Sequence, residues 1–232
     1  MTRYISLLIL CLFSSSWLWA QGSQISQSSG RISSGNAVTF DDRYQGVKGT
    51  PYIFSEWQKG LVFPSNMDAI HIEYLNFDRH SLELCQKENE DSKPSLLNKY
   101  LIDSFRIAGT SDTLEFRRVK LPEASEYLYM ELVYHGGLTL FLDYAKTFNK
   151  ADFEQSYSAD RRYDEYVDNP GYYLQLEQKG ELYFIKKNKK QFSSLFGAYS
   201  GQVLEYMKAE KTSLKSREDL ISLMQYYDSI KD

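Results

Sequence analysis

An alternation of apolar and polar residues with a period of two is the feature that most constrains how this chain of 232 residues can fold. Ile70, Ile72 and Tyr74, for example, alternate with two polar residues. Successive side chains of a strand point to opposite faces of its sheet, so the pattern predicts a strand with one buried face. The same pattern recurs, with turn residues between the runs, at residues 82–85, 113–119, 128–134, 138–144, 172–176 and 182–184.

Two hairpins are predicted to join neighbouring runs. Gly136 and Gly137 lie between residues 128–134 and 138–144 and can supply the positive φ of a tight turn. A second hairpin is predicted across Lys179 and Gly180, with the following pairing: Tyr172, Leu174 and Leu176 with Leu182 and Phe184.

Near residue 190 the spacing of the apolar residues changes to three and four, at Phe192, Leu195 and Phe196, at Val203, Leu204 and Met207, and at Leu220, Leu223, Met224 and Tyr227. Residues at this spacing share one face of a helix. Ser216 and Asp219 are spaced as a capping box, in which each side chain accepts a hydrogen bond from the other residue's amide. The patterns together predict an α+β fold: an antiparallel β-meander, with partial closure into a barrel left open, followed by two or three C-terminal helices.

The N-terminal residues have the three parts of a cleavable secretory signal peptide. Arg3 precedes an apolar stretch at residues 5–18, which ends on small and polar residues. The stretch is shorter than the roughly 20 residues that span a membrane. We therefore predict a signal peptide at residues 1–20, a flexible leader rich in Ser, Gln and Gly at residues 21–37, and a single domain at residues 38–232.

Export would place the mature chain in the periplasm, at the cell surface or in the medium. No later apolar run has the length of a membrane span, so no transmembrane segment is expected in the mature chain. The formal net charge of −4 gives no global attraction to nucleic acid. Cys85 is the only cysteine beyond the signal peptide, so no internal disulfide is expected and stability must come from a core.

The sequence contains no recognisable catalytic or cofactor-binding motif. Its histidines are widely spaced, no serine lies in a Gly-x-Ser-x-Gly turn, and no phosphate loop is present. Cys85 lies on a predicted strand, where a cysteine is typically a packing residue. Two acidic stretches, residues 88–91 and 160–168, lack the spacing of a calcium loop and are interpreted as charged loops. We expect no catalytic residues, no metal and no cofactor, and favour a non-enzymatic protein.

Tyrosine is unusually frequent, with 19 residues in the chain. Its apolar ring and polar hydroxyl suit strand positions that face partly towards water, so the count favours a β-rich fold with one hydrated face. An aromatic surface that binds sugars or peptides is the alternative interpretation.

The densest run of charge follows the last predicted strand and consists of Lys186, Lys187, Lys189 and Lys190. Four cations so close together can attract anionic lipid, lipopolysaccharide or a phosphate-bearing molecule. The alternative is a solvated connection between a strand and a helix. These lysines are the candidate binding residues, and the partner would be another envelope protein or an anionic envelope component.

Several short motifs follow one another along the chain: residues 49–54 (GTPYIF), Trp57, residues 60–62 (GLV), residues 74–78 (YLNFD), the lysine run and a helix through residues 219–227. Their order resembles a group of exported, uncharacterised proteins common in Bacteroidota envelopes. The resemblance spans roughly residues 49–230. It implies secretion and a single domain, and it provides no catalytic residues that could be transferred to this chain. Trp57 is expected to anchor the core beneath the sheet.

Three functions are consistent with these features. The missing catalytic motifs and the tyrosine-rich meander favour a non-enzymatic envelope protein that binds or scaffolds another envelope component. The first alternative is a carrier of a small ligand or lipid, in which the meander closes into a barrel around an apolar cavity. The second is an extracytoplasmic hydrolase whose carboxylates cannot be identified from the sequence.

Overall fold

Thirteen strands occur in the described part of the chain. The computed structural model describes residues 46–109, 112–121, 127–150, 163–176 and 180–231. The strands are β1 (Val47–Lys48), β2 (Gln58–Pro64), β3 (Ile70–Asp78), β4 (Glu83–Lys87), β5 (Ser95–Leu96), β6 (Ile102–Ala108), β7 (Thr113–Lys120), β8 (Tyr127–His135), β9 (Thr139–Asp143), β10 (Lys146–Asn149), β11 (Asp164–Asp168), β12 (Gly171–Leu176) and β13 (Glu181–Phe184). The predicted signal peptide, the leader and the start of the domain at residue 38 lie outside the described residues, so this division of the chain stays a prediction.

Three α-helices follow the last strand, which confirms the predicted helical C-terminal part. They are α1 (Lys189–Ser193), α2 (Ser200–Ala209) and α3 (Arg217–Lys231), with 3₁₀ turns at Lys99–Leu101 and Ser194–Tyr199. Gly197 interrupts the helical path between α1 and α2 with a φ of 56°, a conformation that glycine adopts without a steric penalty.

Ten of the strands form one antiparallel sheet in the order β13-β12-β9-β8-β7-β6-β2-β3-β4-β5. The first strand of this sheet along the chain is β2, which lies in its interior, and the next three strands extend the sheet outward from β2 to β5. The chain then returns to place β6 on the other side of β2, and continues as a meander to β9 and later to β12 and β13. The predicted α+β fold with an antiparallel meander is therefore confirmed.

The ten-stranded sheet is open. β5 and β13 each pair with one neighbour within the described residues, and no pairing joins them. β5 has only two residues and β13 is followed directly by the helices, so neither end of the sheet offers a long strand for closure. The partial closure considered from the sequence does not form, and the carrier hypothesis loses the barrel on which it depends.

A second, three-stranded sheet is formed by β1, β11 and β10, and the sequence analysis did not predict it. Its strand β11 (Asp164–Asp168) lies within the stretch that was interpreted as a charged loop, so for these residues the interpretation was wrong. The strand forms despite its acidic residues because it buries Tyr166. The ring of Tyr166 lies 4.8 Å from that of Phe148 and 5.3 Å from that of His80.

The β12–β13 hairpin forms, but its register differs by one residue from the predicted pairing. Leu182 pairs with Gln175, and Phe184 pairs with Tyr173. Leu174, on the opposite face, is fully buried, whereas Phe184 is 50% exposed. Alternation alone does not fix the register, because a slip of one residue exchanges the two faces of a strand.

The first apolar core, here called the strand core, lies within the curled part of the sheet formed by β2–β4 and β6–β8. Phe105 stacks on Phe116 with ring centroids 4.7 Å apart. Phe77 of β3 lies 5.6 Å from Tyr129 of β8. Four strand spacings separate β3 from β8, about 19 Å in a flat sheet, so the contact requires strong curvature.

The second core, here called the helix core, lies between the three helices and one face of β8, β9 and β12. The sheet contributes Leu140 and Leu174, and the helices contribute the residues that the helical spacing identified. On α3 these are Leu220, Leu223, Met224 and Tyr227, all of which are buried.

Helix α3 begins at the predicted cap. The Asp219 N–H donates to Oγ of Ser216 at 3.2 Å. The Asp219 carboxylate, however, accepts from the Ser213 N–H at 2.7 Å, so the second half of the predicted capping box does not form.

Gly136 and Gly137 close the β8–β9 hairpin for a different reason from the one predicted. Neither glycine has a positive φ. A Cβ atom on Gly136 would lie 2.1 Å from Oδ2 of Asp228, and one on Gly137 would lie 2.6 Å from Oδ1. The Asp228 carboxylate accepts from the Gly137 N–H at 3.1 Å and from the Tyr134 hydroxyl at 2.7 Å. The glycines are required because α3 approaches the hairpin so closely.

Two single-residue predictions had opposite outcomes. Cys85 is fully buried on β4, and this burial raises the pKa of its thiol well above the usual range, as expected for a packing residue. Trp57 is only half-buried, so its prediction as a core anchor was wrong. Its ring lies 5.2 Å from that of Tyr52, with Nζ of Lys87 5.1 Å from its centroid. The segment before β2 is tied to β3 by a bridge at Tyr52 and by hydrogen bonds from Asn76 to the backbone of Phe54 and Glu56, and Trp57 lies at its end near the surface.

Candidate ligand-binding groove

The predicted lysine run forms the connection between β13 and α1. Lys186, Lys187 and Lys190 are exposed, and none of their ammonium groups has an ion pair or hydrogen bond within the described residues. Lys189 is half-buried, and its Nζ donates to the carbonyl of Met207 at 3.2 Å, which ties α1 to α2. The run therefore consists of one structural lysine and three available cations, and its role in binding stays a prediction.

A separate open groove of about 710 Å³ lies on the sheet face opposite the helices. Its apolar floor consists of Val119, Phe141 and Leu182, which belong to a third apolar cluster centred on β7–β9. Its polar lining, within the described residues, contains cations, a histidine and neutral hydrogen-bonding groups but no carboxylate: Arg117, Arg118, Lys120, His135, Thr139 and Gln175. The groove suits a ligand with negative charge and some apolar surface.

Arg117 brings an excess positive charge to the rim of this groove. Its Nε donates to Oε1 of Glu115 at 2.9 Å, but Glu115 also accepts from Arg106 at 3.0 Å. Partial burial opposes ionisation of Glu115, yet the hydrogen bonds from the two arginines outweigh it and lower the pKa of this carboxyl group. Two guanidinium groups thus share one carboxylate, and one positive charge is left for a ligand.

Lys120 and His135 border the groove at the ends of β7 and β8. The Lys120 side chain has no hydrogen bond or ion pair within the described ranges, but it projects to the face opposite Arg117, where its Nζ is 5.8 Å from the ring centroid of Tyr127. Nδ1 of His135 lies 3.0 Å from Oγ1 of Thr139, which orients the imidazole. The His135 side chain is exposed, so a ligand in the groove can reach it without rearrangement of the sheet.

Arg118 has a structural role despite its position beside the groove. It donates to the carbonyl of Tyr100 at 2.7 Å and to Oδ1 of Asp103 at 2.8 Å. These bonds hold the 3₁₀ turn that leads into β6. Its hydrogen-bonding capacity is largely used within the fold, and Lys120 projects to the same face as Arg118, so Arg117 is the better candidate for ligand contact.

The groove residues were not predicted from the sequence, although a cluster of cations in β7 pointed to them. Arg117, Arg118 and Lys120 are three cations within four residues, directly before the end of a strand that was predicted correctly. Only the longer lysine run was selected on charge. His135 and Gln175 come from distant parts of the chain, and only the strand order brings them to the same face.

A buried carboxylate bears on the hydrolase hypothesis. Glu131 is almost completely buried on β8, and it accepts from the Arg217 guanidinium at 2.5 and 3.0 Å and from the Tyr144 hydroxyl at 2.8 Å. Burial and the adjacent Glu131 raise the pKa of the Tyr144 hydroxyl, which therefore stays protonated as a donor. Arg217 and Tyr144 line a cleft of about 600 Å³, but the carboxylate is occupied by its own partners, as in a structural ion pair.

Two further observations concern the described part of the chain. No group of three or more His, Cys, Asp or Glu side chains in these ranges could hold a metal ion. None of the helices described here has both the length and the apolar character needed to cross a membrane.

Comparisons with protein-family models, with curated proteins and with solved structures found no match. The resemblance to exported Bacteroidota envelope proteins therefore stays a prediction.

Proposed function

We propose that this chain is an exported, non-enzymatic binding protein that holds an anionic envelope component in the groove on the open face of its sheet. The observation that supports this function most directly is the composition of the groove. Its described lining combines an apolar floor with cations and hydrogen-bond donors and contains no carboxylate. A phosphate-bearing glycan or glycolipid headgroup has the matching chemistry.

The contacts available in the groove favour a ligand with several negative groups. An exposed ion pair contributes about 0–1 kcal/mol, so Arg117 alone would bind weakly. Arg117 lies on β7 and His135 at the end of β8, and both project to the groove face, so an extended anion could contact both. Because the Arg117 charge is exposed, binding should weaken as salt increases.

The binding test compares lipopolysaccharide with its dephosphorylated form. The variant Arg117→Gln loses one exposed charge contact, at most about 1 kcal/mol, and should bind lipopolysaccharide about 2- to 5-fold more weakly. The control Lys208→Gln removes one exposed lysine outside the groove and should bind as the unmodified chain does. Equal loss in both variants, or equal binding of the dephosphorylated form, would contradict the proposal.

Export is supported by the sequence of residues 1–20 and has its own test. Fractionation of the producing cell followed by N-terminal sequencing should recover a mature chain that begins near Gln21 in an extracytoplasmic fraction. A full-length chain confined to the cytoplasm would contradict this part of the proposal while leaving the groove to be judged separately.

A further inference from the structure

Among the described strands β13 lies at an edge of the sheet, and its outer backbone groups can be identified from its pairing with β12. The Ile185 N–H donates to the Tyr172 carbonyl at 2.8 Å. Backbone groups in an antiparallel pair face the neighbouring strand at every second residue. Tyr183, like Ile185, therefore faces β12, and the N–H and C=O groups of Leu182 and Phe184 face away from the sheet.

The two edges of the sheet differ. β5 has two residues and is followed closely by the 3₁₀ turn at Lys99–Leu101, so it offers little length for pairing. β13 has four residues and contains no proline, one of the devices that protein edges use to prevent further pairing. It is the edge that can accept another strand.

The side chains around this edge form an apolar recess. Phe184 is 50% exposed although its ring also lies over Tyr173, with centroids 5.1 Å apart. A pocket of about 280 Å³ lies between β13 and α1, and its apolar lining includes Leu182, Phe184, Phe192 and Leu195. A strand added at β13 could place one apolar side chain there.

Positive charge marks one end of the edge. Lys186, Lys187 and Lys190 follow β13 and have no partners within the described ranges. The sequence contains no acidic residue from Leu182 to Leu204. Glu181, at the other end of β13, accepts a hydrogen bond from the Tyr183 hydroxyl.

We propose that the edge of β13 binds an extended acidic segment of a partner protein by strand addition. The added strand runs antiparallel to β13, as every other pair in this sheet does. Its backbone pairs with Leu182 and Phe184, one apolar side chain enters the recess, and its acidic residues precede this apolar part and face the lysines. A second copy of this chain fits less well, because it would offer only Glu181 to the three cations.

The test uses two synthetic peptides of the same composition and measures their binding to the purified chain by fluorescence anisotropy. One has four glutamates followed by six alternating threonines and valines, and the other has the reverse order. We expect the peptide with the acidic residues first to bind at least tenfold more tightly. Lys186→Glu/Lys187→Glu should weaken its binding at least tenfold, and the control Lys208→Glu/Lys215→Glu should leave it within twofold.

The variant Phe184→Pro tests the backbone contact. It removes an N–H that faces away from β12, so the fold should persist by circular dichroism while peptide binding is lost. If this variant does not fold, the peptide order and the lysine variant decide the question. Arg117→Gln should bind the peptide normally, which separates this site from the groove.

Three results would overturn the inference. The first is equal binding of the two peptides, and the second is unchanged binding to Lys186→Glu/Lys187→Glu. The third is a dimer in sedimentation experiments that Phe184→Pro dissociates, because the edge would then belong to a second copy of the chain.

Discussion

The strand core and the helix core bury their apolar residues in different ways. In the strand core the sheet curves until β3 and β8 are in contact, and aromatic rings such as Phe105 and Phe116 fill the interior together with aliphatic side chains. In the helix core a separate helical layer covers one face of β8, β9 and β12. That layer is attached at two points by carboxylates, Glu131 with Arg217 and Asp228 with Tyr134.

The two cores are therefore held in place by different interactions, ring packing in the strand core and directional hydrogen bonds in the helix core. In the strand core a single ring contacts residues of several strands, so loss of one ring should affect those strands together. Helix α3 is positioned by directional hydrogen bonds, so loss of one carboxylate should affect the helical layer more than the sheet.

The largest effect is expected for Phe105→Ala. Phe105 is fully buried and contacts Phe77, Phe116 and Tyr129, so the cavity should reduce the free energy of unfolding by about 3–5 kcal/mol. Urea denaturation measures the change. The matched control Phe184→Ala removes a ring that is 50% exposed and should cost about 1 kcal/mol or less. Similar costs for the two variants would show that the ring stack does not dominate the strand core.

A smaller and more local effect is expected for Glu131→Gln. The substitution removes the charge that holds Arg217 and should cost about 2–3 kcal/mol, less than for a fully buried pair because Arg217 can reach water. Amide hydrogen exchange should then become faster in α3 while β2 and β6 keep their protection. Uniformly faster exchange would mean that the two cores unfold as a single unit.

Gly136→Ala tests the close approach of α3 to the β8–β9 hairpin. The new methyl group would overlap the Asp228 carboxylate, and we expect a loss of about 1–3 kcal/mol. The double variant Gly136→Ala/Asp228→Ala removes the overlap and should lose less than the sum of the single variants. Strict additivity in thermal or urea unfolding would argue against this contact.

The smallest effect concerns pH. Partial burial, followed by the hydrogen bond to Asp228, raises the pKa of Tyr134 from 10.0 to about 12. A tyrosine whose pKa is higher in the folded state stabilises the fold fully below pH 10 and loses this contribution as the pH rises through 12. The difference in ultraviolet absorbance between the unmodified chain and Tyr134→Phe should show this titration, and Asp228→Asn should move it towards 10.

The sequence predicted the local structure where one periodicity dominated. The alternation at Ile70–Tyr74 and the helical stripe from Leu220 to Tyr227 each correspond to an observed element. The predictions from the sequence were wrong where a tertiary contact determined the local structure. Gly136 is required by the carboxylate of a distant helix, and β11 forms despite its acidic residues because Tyr166 packs against His80.

The groove could be predicted only in part. The cations of β7 are visible in the sequence, but their accessibility depends on which neighbours neutralise them. Arg118 is consumed by Asp103 and the carbonyl of Tyr100, whereas Arg117 shares the Glu115 carboxylate with Arg106 and keeps charge available for a ligand. The contribution of His135 depends on the order of the strands, and no local pattern encodes that order.

The position of β2 inside the sheet has a consequence for biogenesis. When the polypeptide is synthesised from its N-terminus, β3, β4 and β5 become available to pair on one side of β2 before β6 can cover the other. During this interval the nascent hairpins present an uncovered strand with the apolar residues Leu61, Val62 and Phe63. Such an uncovered edge is prone to pair with other chains until Ile102–Ala108 has emerged and docked.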